Sequence, residues 1–293
     1  MMKRRAFLQR SAILSAGFIA MPELAWKINR KIGLQLYTLR ESVAKDVAGV
    51  FSQISKAGYS ELEMFGLSAE NKFFGHTVKE IAGLLKQNNL TSPSGHYMPE
   101  QFLFNNGNGD DVKNLCAVAN ELGNSYLIIP WMREEKRNSI DKYKALAQRL
   151  NKAAEICKSA NLQLAYHNHD FEFADFNGEH GYDILLKNTD SGLVKMEMDL
   201  YWVVRAGYDP VTLIKANPGR FHLWHVKDMN KNDKTQNTEV GNGSLDFKSI
   251  FANAKLAGVK HYIVEQENNY VPDFYGSIAA SNKQVKKLLK KVS

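Results

Sequence analysis

The sequence predicts a single (β/α)8 TIM barrel of the α/β class, and three observations lead there. Short apolar runs alternate with amphipathic stretches eight times along the chain. Eight strand–helix units joined by right-handed crossovers close on themselves into a barrel. The length of 293 residues suits one such barrel. The first apolar run passes into LQLYTLRES, without the G-x-G-x-x-G turn that announces an open, doubly wound sheet.

The chain begins with a segment that stands apart from the fold. In residues 1–25, Lys3, Arg4 and Arg5 precede Phe7 and Leu8, and the apolar run SAILSAGFIAM follows. This combination resembles a twin-arginine export signal. It implies a periplasmic protein, anchored if the signal stays uncleaved, whose barrel occupies 26–293. No run reaches the roughly 18 consecutive apolar residues of a membrane span.

The strands then follow in order: KIGLQLY (31–37), YSELEMF (59–65), TSPSGHY (91–97), SYLIIPW (125–131), LQLAYHNH (162–169), VKMEMDL (194–200), FHLWHVKD (221–228) and HYIVEQE (261–267). Between them VAGVFSQISKAG, VKEIAGLLKQNN, VKNLCAVANELG and IDKYKALAQRLNKAAEICKSAN carry apolar residues at three- and four-residue spacing, which predicts helices. Gly58, Gly123 and Gly258 stand where a helix should stop before the next strand.

Composition excludes several classes. With 44% hydrophobic and 24% charged residues and 7 Pro, the chain is neither disordered nor fibrous. Cys116 and Cys157 are too few for a disulfide framework and read as buried small hydrophobes. The net charge of +7 falls to +4 once the four basic residues and one acid of 1–25 are set aside. Five lysines of the terminal KQVKKLLKKVS read as a solvated helix face. Nucleic acid is therefore not the expected partner.

A barrel of this kind carries its site at the carboxyl ends of its strands. There the chain places His96 and Tyr97, Trp131, the run His167-Asn168-His169-Asp170-Phe171-Glu172, Glu197 and Asp199 followed by Trp202, then His225 and Lys227, and finally Glu265 and Glu267. Four successive strands thus end in His, Asp or Glu. So many ionisable groups around one cavity are costly to bury unless a cation pairs with them. Mixed carboxylate and imidazole donors suit one divalent metal ion, Mn, Co, Zn or Mg. Period two puts His167 with His169, Glu197 with Asp199, His225 with Lys227 and Glu265 with Glu267 on common faces. Trp131, Trp202 and Tyr97 could stack on a ligand ring or simply roof the barrel. NNGNGDD (105–111) reads as an active-site loop leading into a helix, and EVGNGSLDF (239–247) as a tight glycine turn beside the metal.

YHNHDFEF, EMDLYWVVRAGYDP, HVKD, EVGNGSLDF and YIVEQE together resemble the sugar phosphate isomerase/epimerase family of xylose isomerase-like TIM barrels. The resemblance runs from about Ile32 to the C-terminus. It implies one divalent metal held at the ends of strands five to eight, with Asp199, His225 and Glu265 matching three of the usual ligands. Strand five departs from the usual glutamate. His169 is the expected fourth ligand there, with Glu172 as the alternative. The implied chemistry is proton transfer beside a carbonyl of a keto-sugar or oxidised glycoside. His167 and Glu265 are the acid/base candidates, Lys227 would support the oxyanion, and His96, Trp131, Glu172, Trp202 and Glu267 would contact substrate. Epimerisation, isomerisation and β-elimination (lyase or dehydratase chemistry) are all open to this constellation. So is a sugar-binding or accessory subunit with a vestigial metal site. An AP-endonuclease-like phosphodiesterase fits less well, because Trp131 and Trp202 stand where its further histidines would be expected. The choice of sugar and metal stays open, as does assembly into a homo-oligomer.

Overall fold

A computed structural model describes residues 31–291. The segment 1–25, expected from its sequence to be an export signal, lies outside the described residues.

Eight parallel strands form the sheet: β1 (Ile32–Gln35), β2 (Glu61–Glu63), β3 (Ser94–His96), β4 (Tyr126–Ile129), β5 (Gln163–His167), β6 (Val194–Asp199), β7 (Phe221–Val226) and β8 (His261–Val264). Their order around the sheet is β2-β1-β8-β7-β6-β5-β4-β3. Bridges from Glu61 to Thr91 and from Met64 to Gly95 bring the two ends together, so the barrel is nearly closed.

The strands are shorter than the apolar runs, and the second and third lose most. TSPSGHY was expected to pair throughout, yet the strand begins only at Ser94. Pro93 lies inside the run and has no N–H to give the ladder. Leu62 N donates to Thr91 O on one side of it, and His96 N to Met64 O on the other. Between them Met64 N donates to Ser94 O, so the ladder lacks only the bond that Pro93 cannot make.

Helices cover the outside, including α1 (Val47–Lys56), α2 (Val78–Gln87), α3 (Asp110–Leu122) and α4 (Ile140–Ser159). Their boundaries follow local chemistry. Asp46 caps α1 through Gly49 N, and Thr77 with Glu80 forms a reciprocal capping box on α2. Gly58, Gly123 and Gly258 all adopt the left-handed conformation that closes a helix, at φ +89, +78 and +83. The loop at 105–109 runs straight into α3. Cys116 and Cys157 face each other between α3 and α4, buried, with sulfurs 3.7 Å apart. Among the described residues no helix is long and apolar enough to cross a membrane.

The main apolar core lies between the sheet's outer face and the helices. Leu34, Leu62, Ile129, Leu164, Met196 and Trp224 contribute from the strands, and all are fully buried. Tyr126, Ile128, Ala165 and Leu223 form a separate small cluster on the alternate, inward-facing positions. Beyond it, toward the carboxyl ends, the inward positions are Gln35, Glu63, Ser94, His167, Glu197, Asp199 and His225, all buried. The upper half of the interior is polar.

Candidate active site

Period two explains why acids and imidazoles meet. On β6, Glu197 pairs with His167 of β5, and two residues later Asp199 pairs with His225 of β7. Glu265 and Glu267 follow directly on β8 and carry the same face upward. Two layers result, and His225 joins them.

In the upper layer, Asp199, His225 and Glu265 bring donor atoms within 4.8 Å of one another. His225 Nδ1 is 3.0 Å from Glu265 Oε2 and 3.8 Å from Asp199 Oδ2. Asp199 Oδ1 accepts from Trp202 N, the start of the next short helix, while Oδ2 is buried without a hydrogen-bond partner. His169 Nδ1 is likewise buried and unpartnered. Orphaned acceptors in a dry site are costly. Together with the hard-oxygen and imidazole donor set, they fit a divalent cation held by Asp199, His225 and Glu265, with His169 close to the group. Lys227, 3.7 Å from Asp199 and 3.1 Å from Glu265, also pairs with Glu267 and is fully buried.

In the lower layer, His96, His167, Glu197 and His225 form a second group of donors. Glu63, which the sequence analysis did not single out, is its hub. Its Oε1 accepts from Gln35 Nε2 at 2.7 Å and lies 2.7 Å from His225 Nε2 and 3.1 Å from His96 Nε2. Its Oε2 accepts from Ser94 Oγ. The signal was there to read: ELE in β2 sets acids at alternate positions of a strand whose neighbours are Leu62 and Met64. Glu197 Oε2 contacts His96 at 2.9 Å and His167 Nδ1 at 3.0 Å.

These contacts set the charges. Burial pushes Glu63 up, but the His96 charge and the hydrogen bonds of both imidazoles outweigh it and hold the carboxyl well below its usual range. Glu265 is also held low: burial raises it, and Lys227 and His225 overcome that. Burial, then Glu63, pushes Glu197 up to about 7. Asp199 rises to about 6, raised by burial and restrained by Lys227. His96 is raised to about 9, because Glu63 and Glu197 overcome the burial that opposes its charge. His167 and His169 go the other way. Burial and nearby cationic groups depress His167 well below normal and His169 to about 3.

Above both layers opens a cavity of about 420 Å³. His96, His167, His169, Glu265 and Glu267 face it, under an aromatic rim of Tyr37, Phe65 and Trp131. Tyr37 and Trp131 are 39% and 45% exposed, enough for a ring to stack on them. Three expected residues lie elsewhere. Glu172, the alternative ligand and expected substrate contact, is fully buried. Its oxygens accept from Tyr166 Oη at 2.6 Å and His169 N at 2.8 Å, so it holds the strand-five turn. Trp202 packs beside His169 and over the Lys227 ammonium, outside the cavity wall. Lys227 itself is spent on three carboxylates. The turn within 239–247 is tied to Asp228, whose carboxylate accepts from the N–H groups of Met229, Gly241, Gly243 and Leu245.

Comparison with known proteins agrees with this architecture. A sugar phosphate isomerase/epimerase from Parabacteroides distasonis superposes with a TM-score of 0.78 at 28% identity, covering 88% of this chain and 93% of that one. The inosose dehydratase of Geobacillus kaustophilus is 24% identical over 230 residues, 72% of this chain and 70% of its own. The IOLI protein, solved with a zinc atom, shares the fold at a TM-score of 0.69 and 14% identity, over 90% of this chain and 99% of that one. The family model for the xylose isomerase-like TIM barrel matches residues 51–291, and the chain belongs to that family.

Proposed function

We propose that this protein is a divalent-metal-dependent isomerase or epimerase that moves a proton beside the carbonyl of a keto-sugar or oxidised glycoside. The observation that carries the reading is the buried Asp199–His225–Glu265 group, with Asp199 Oδ2 and His169 Nδ1 left unpartnered, under a sugar-sized cavity with an aromatic rim. Asp199, His225, Glu265 and His169 would hold the ion. When bound, it would polarise the substrate carbonyl and acidify the neighbouring C–H.

The protein's own groups divide the proton work. Glu265 is an ionised carboxylate in the cavity wall, suited to accept the proton. His167 is a neutral imidazole whose Nδ1 is engaged by Glu197, leaving Nε2 to exchange a proton. Lys227 keeps Glu265 ionised and holds Glu265 and Glu267 in place. Tyr37, Phe65 and Trp131 would orient the sugar by stacking.

A second reading, β-elimination of water or of a glycosyl oxygen, is favoured by the inosose dehydratase relative. In that reading His96, which keeps its proton to about 9, would protonate the leaving oxygen. The Arg4-Arg5 segment supports a periplasmic setting for either reaction.

The test is elemental analysis of wild type beside Asp199→Ala and His225→Ala, followed by incubation with keto-sugars in D2O. About one equivalent of metal, lost in both variants, is expected for a single-ion site. Solvent deuterium should appear at the carbon beside the carbonyl, and the product should show which outcome follows. Little metal after reconstitution, or no deuterium uptake with any keto-sugar, overturns the reading.

A further inference from the structure

The cavity over the metal group has a neighbour of nearly the same size. A second chamber of about 410 Å³ lies to the side of β2 and β3, and Gly66, His96 and Pro130 form walls of both spaces. The two spaces therefore adjoin at these residues. Gly66 stands where they meet with φ +81, and a Cβ there would press on the Phe74 ring at 3.1 Å. Only glycine combines this backbone conformation with that clearance.

The chambers differ in chemistry. All the acid/base groups face the first. The side chamber shares only His96 of that machinery, and its carboxylate, Asp111, is engaged by Phe102 N and Val112 N. Ser68, Asn71 and Asn114 bring hydroxyl and amide groups to its wall, while Met98 and Leu115 supply apolar surface. Hydroxyl and amide groups set against apolar surface complement a pyranose ring, which has hydroxyls at its edge and C–H groups on its faces. Only one ring can sit at the metal group, and each chamber lies in the size range of small-molecule sites.

We infer that the substrate is a two-ring keto-glycoside, with its oxidised ring over Asp199, His225 and Glu265 and its second ring in the side chamber beside Asn71 and Asn114. This rests on the function proposed above and names its substrate class.

Asn114 provides the handle. It is exposed on α3 and pairs with Asn71 through both amides at 3.0 Å, so Asn114→Trp would fill the chamber without disturbing the core. The metal-loaded protein is titrated calorimetrically with a methyl keto-glucoside and with a keto-disaccharide, and the ratio of the two affinities is read. Wild type should favour the disaccharide by at least about tenfold, the gain expected from a few well-made contacts. Asn114→Trp should bring the ratio near one, and Asn114→Ala should keep most of it. A wild-type ratio near one, no binding of either ligand, or an unchanged ratio in Asn114→Trp overturns the inference. Preserved disaccharide preference without turnover would count against the proton-transfer reading and leave the side chamber standing.

Discussion

Glu63 lies outside the metal group, yet it determines how His225 presents itself to that group. A histidine ligand needs its second nitrogen held, so that tautomer and ring orientation are fixed. Here Nε2 faces Glu63 at 2.7 Å while Nδ1 faces Glu265 and Asp199. Gln35 and Ser94 hold Glu63 in turn. Glu63→Gln keeps the shape and removes the charge. It should weaken metal affinity by roughly 10–100-fold, measured by competition with a chelator, and should change the visible spectrum of the Co²⁺-loaded protein. Unchanged affinity and spectrum, with an intact fold by circular dichroism, would show that the charge plays no part. At this scale the sequence was partly legible. Asp199, His225 and Glu265 stood out because strand ends were where to look. Glu63 was missed because β2 lies before the strands that drew attention. Glu172 misled because its acid sits three residues past His169, where only the turn's hydrogen bonding shows that it points into backbone and Tyr166.

Elements were legible in type and less so in extent. Periodicity located all eight strands, because fully buried parallel strands are continuous apolar runs. Their ends were overestimated because residues such as Pro130, Asn168 and Glu265 leave the ladder to build the site. Pro93 has the largest effect. Every other neighbouring pair of strands shares a run of paired residues, whereas β2 and β3 touch at two isolated bridges. The seam should open before the rest of the barrel, since local stability follows local bonding. In native-state hydrogen exchange, the amides of Leu62, Met64 and His96 should exchange faster than those of Ala165 and Met196. Equal protection on both sides would mean that the helices outside, not the ladder, set the opening.

Over the whole molecule, the alternation of strand and helix was enough to predict the architecture, since eight crossovers of one hand leave few alternatives. The placement of charge within it was not legible, because it depends on register between strands far apart in sequence. That placement links folding to metal. Asp199 Oδ2, Glu197 Oε1 and His169 Nδ1 are buried without hydrogen-bond partners, so an ion that binds only the folded chain would stabilise it by mass action. At a hundredfold excess over its dissociation constant the gain is about 2.7 kcal/mol, a rise in Tm of several degrees for a chain of this size. A chelator should reverse the shift, and Asp199→Ala should show none in calorimetry.

The polar interior has a consequence for anyone who evolves this barrel in the laboratory. Most barrels of this type fill the same positions with stacked aliphatic layers, and exchanging a buried ionic cluster as a unit for well-packed apolar side chains is frequently neutral or stabilising. Replacing Glu63, His96, His167, Glu197 and His225 together by aliphatic residues would then yield a tougher scaffold that has lost its site. A screen for heat resistance alone would select such replacements and discard the catalyst, so any directed-evolution campaign on this chain must score turnover in every round.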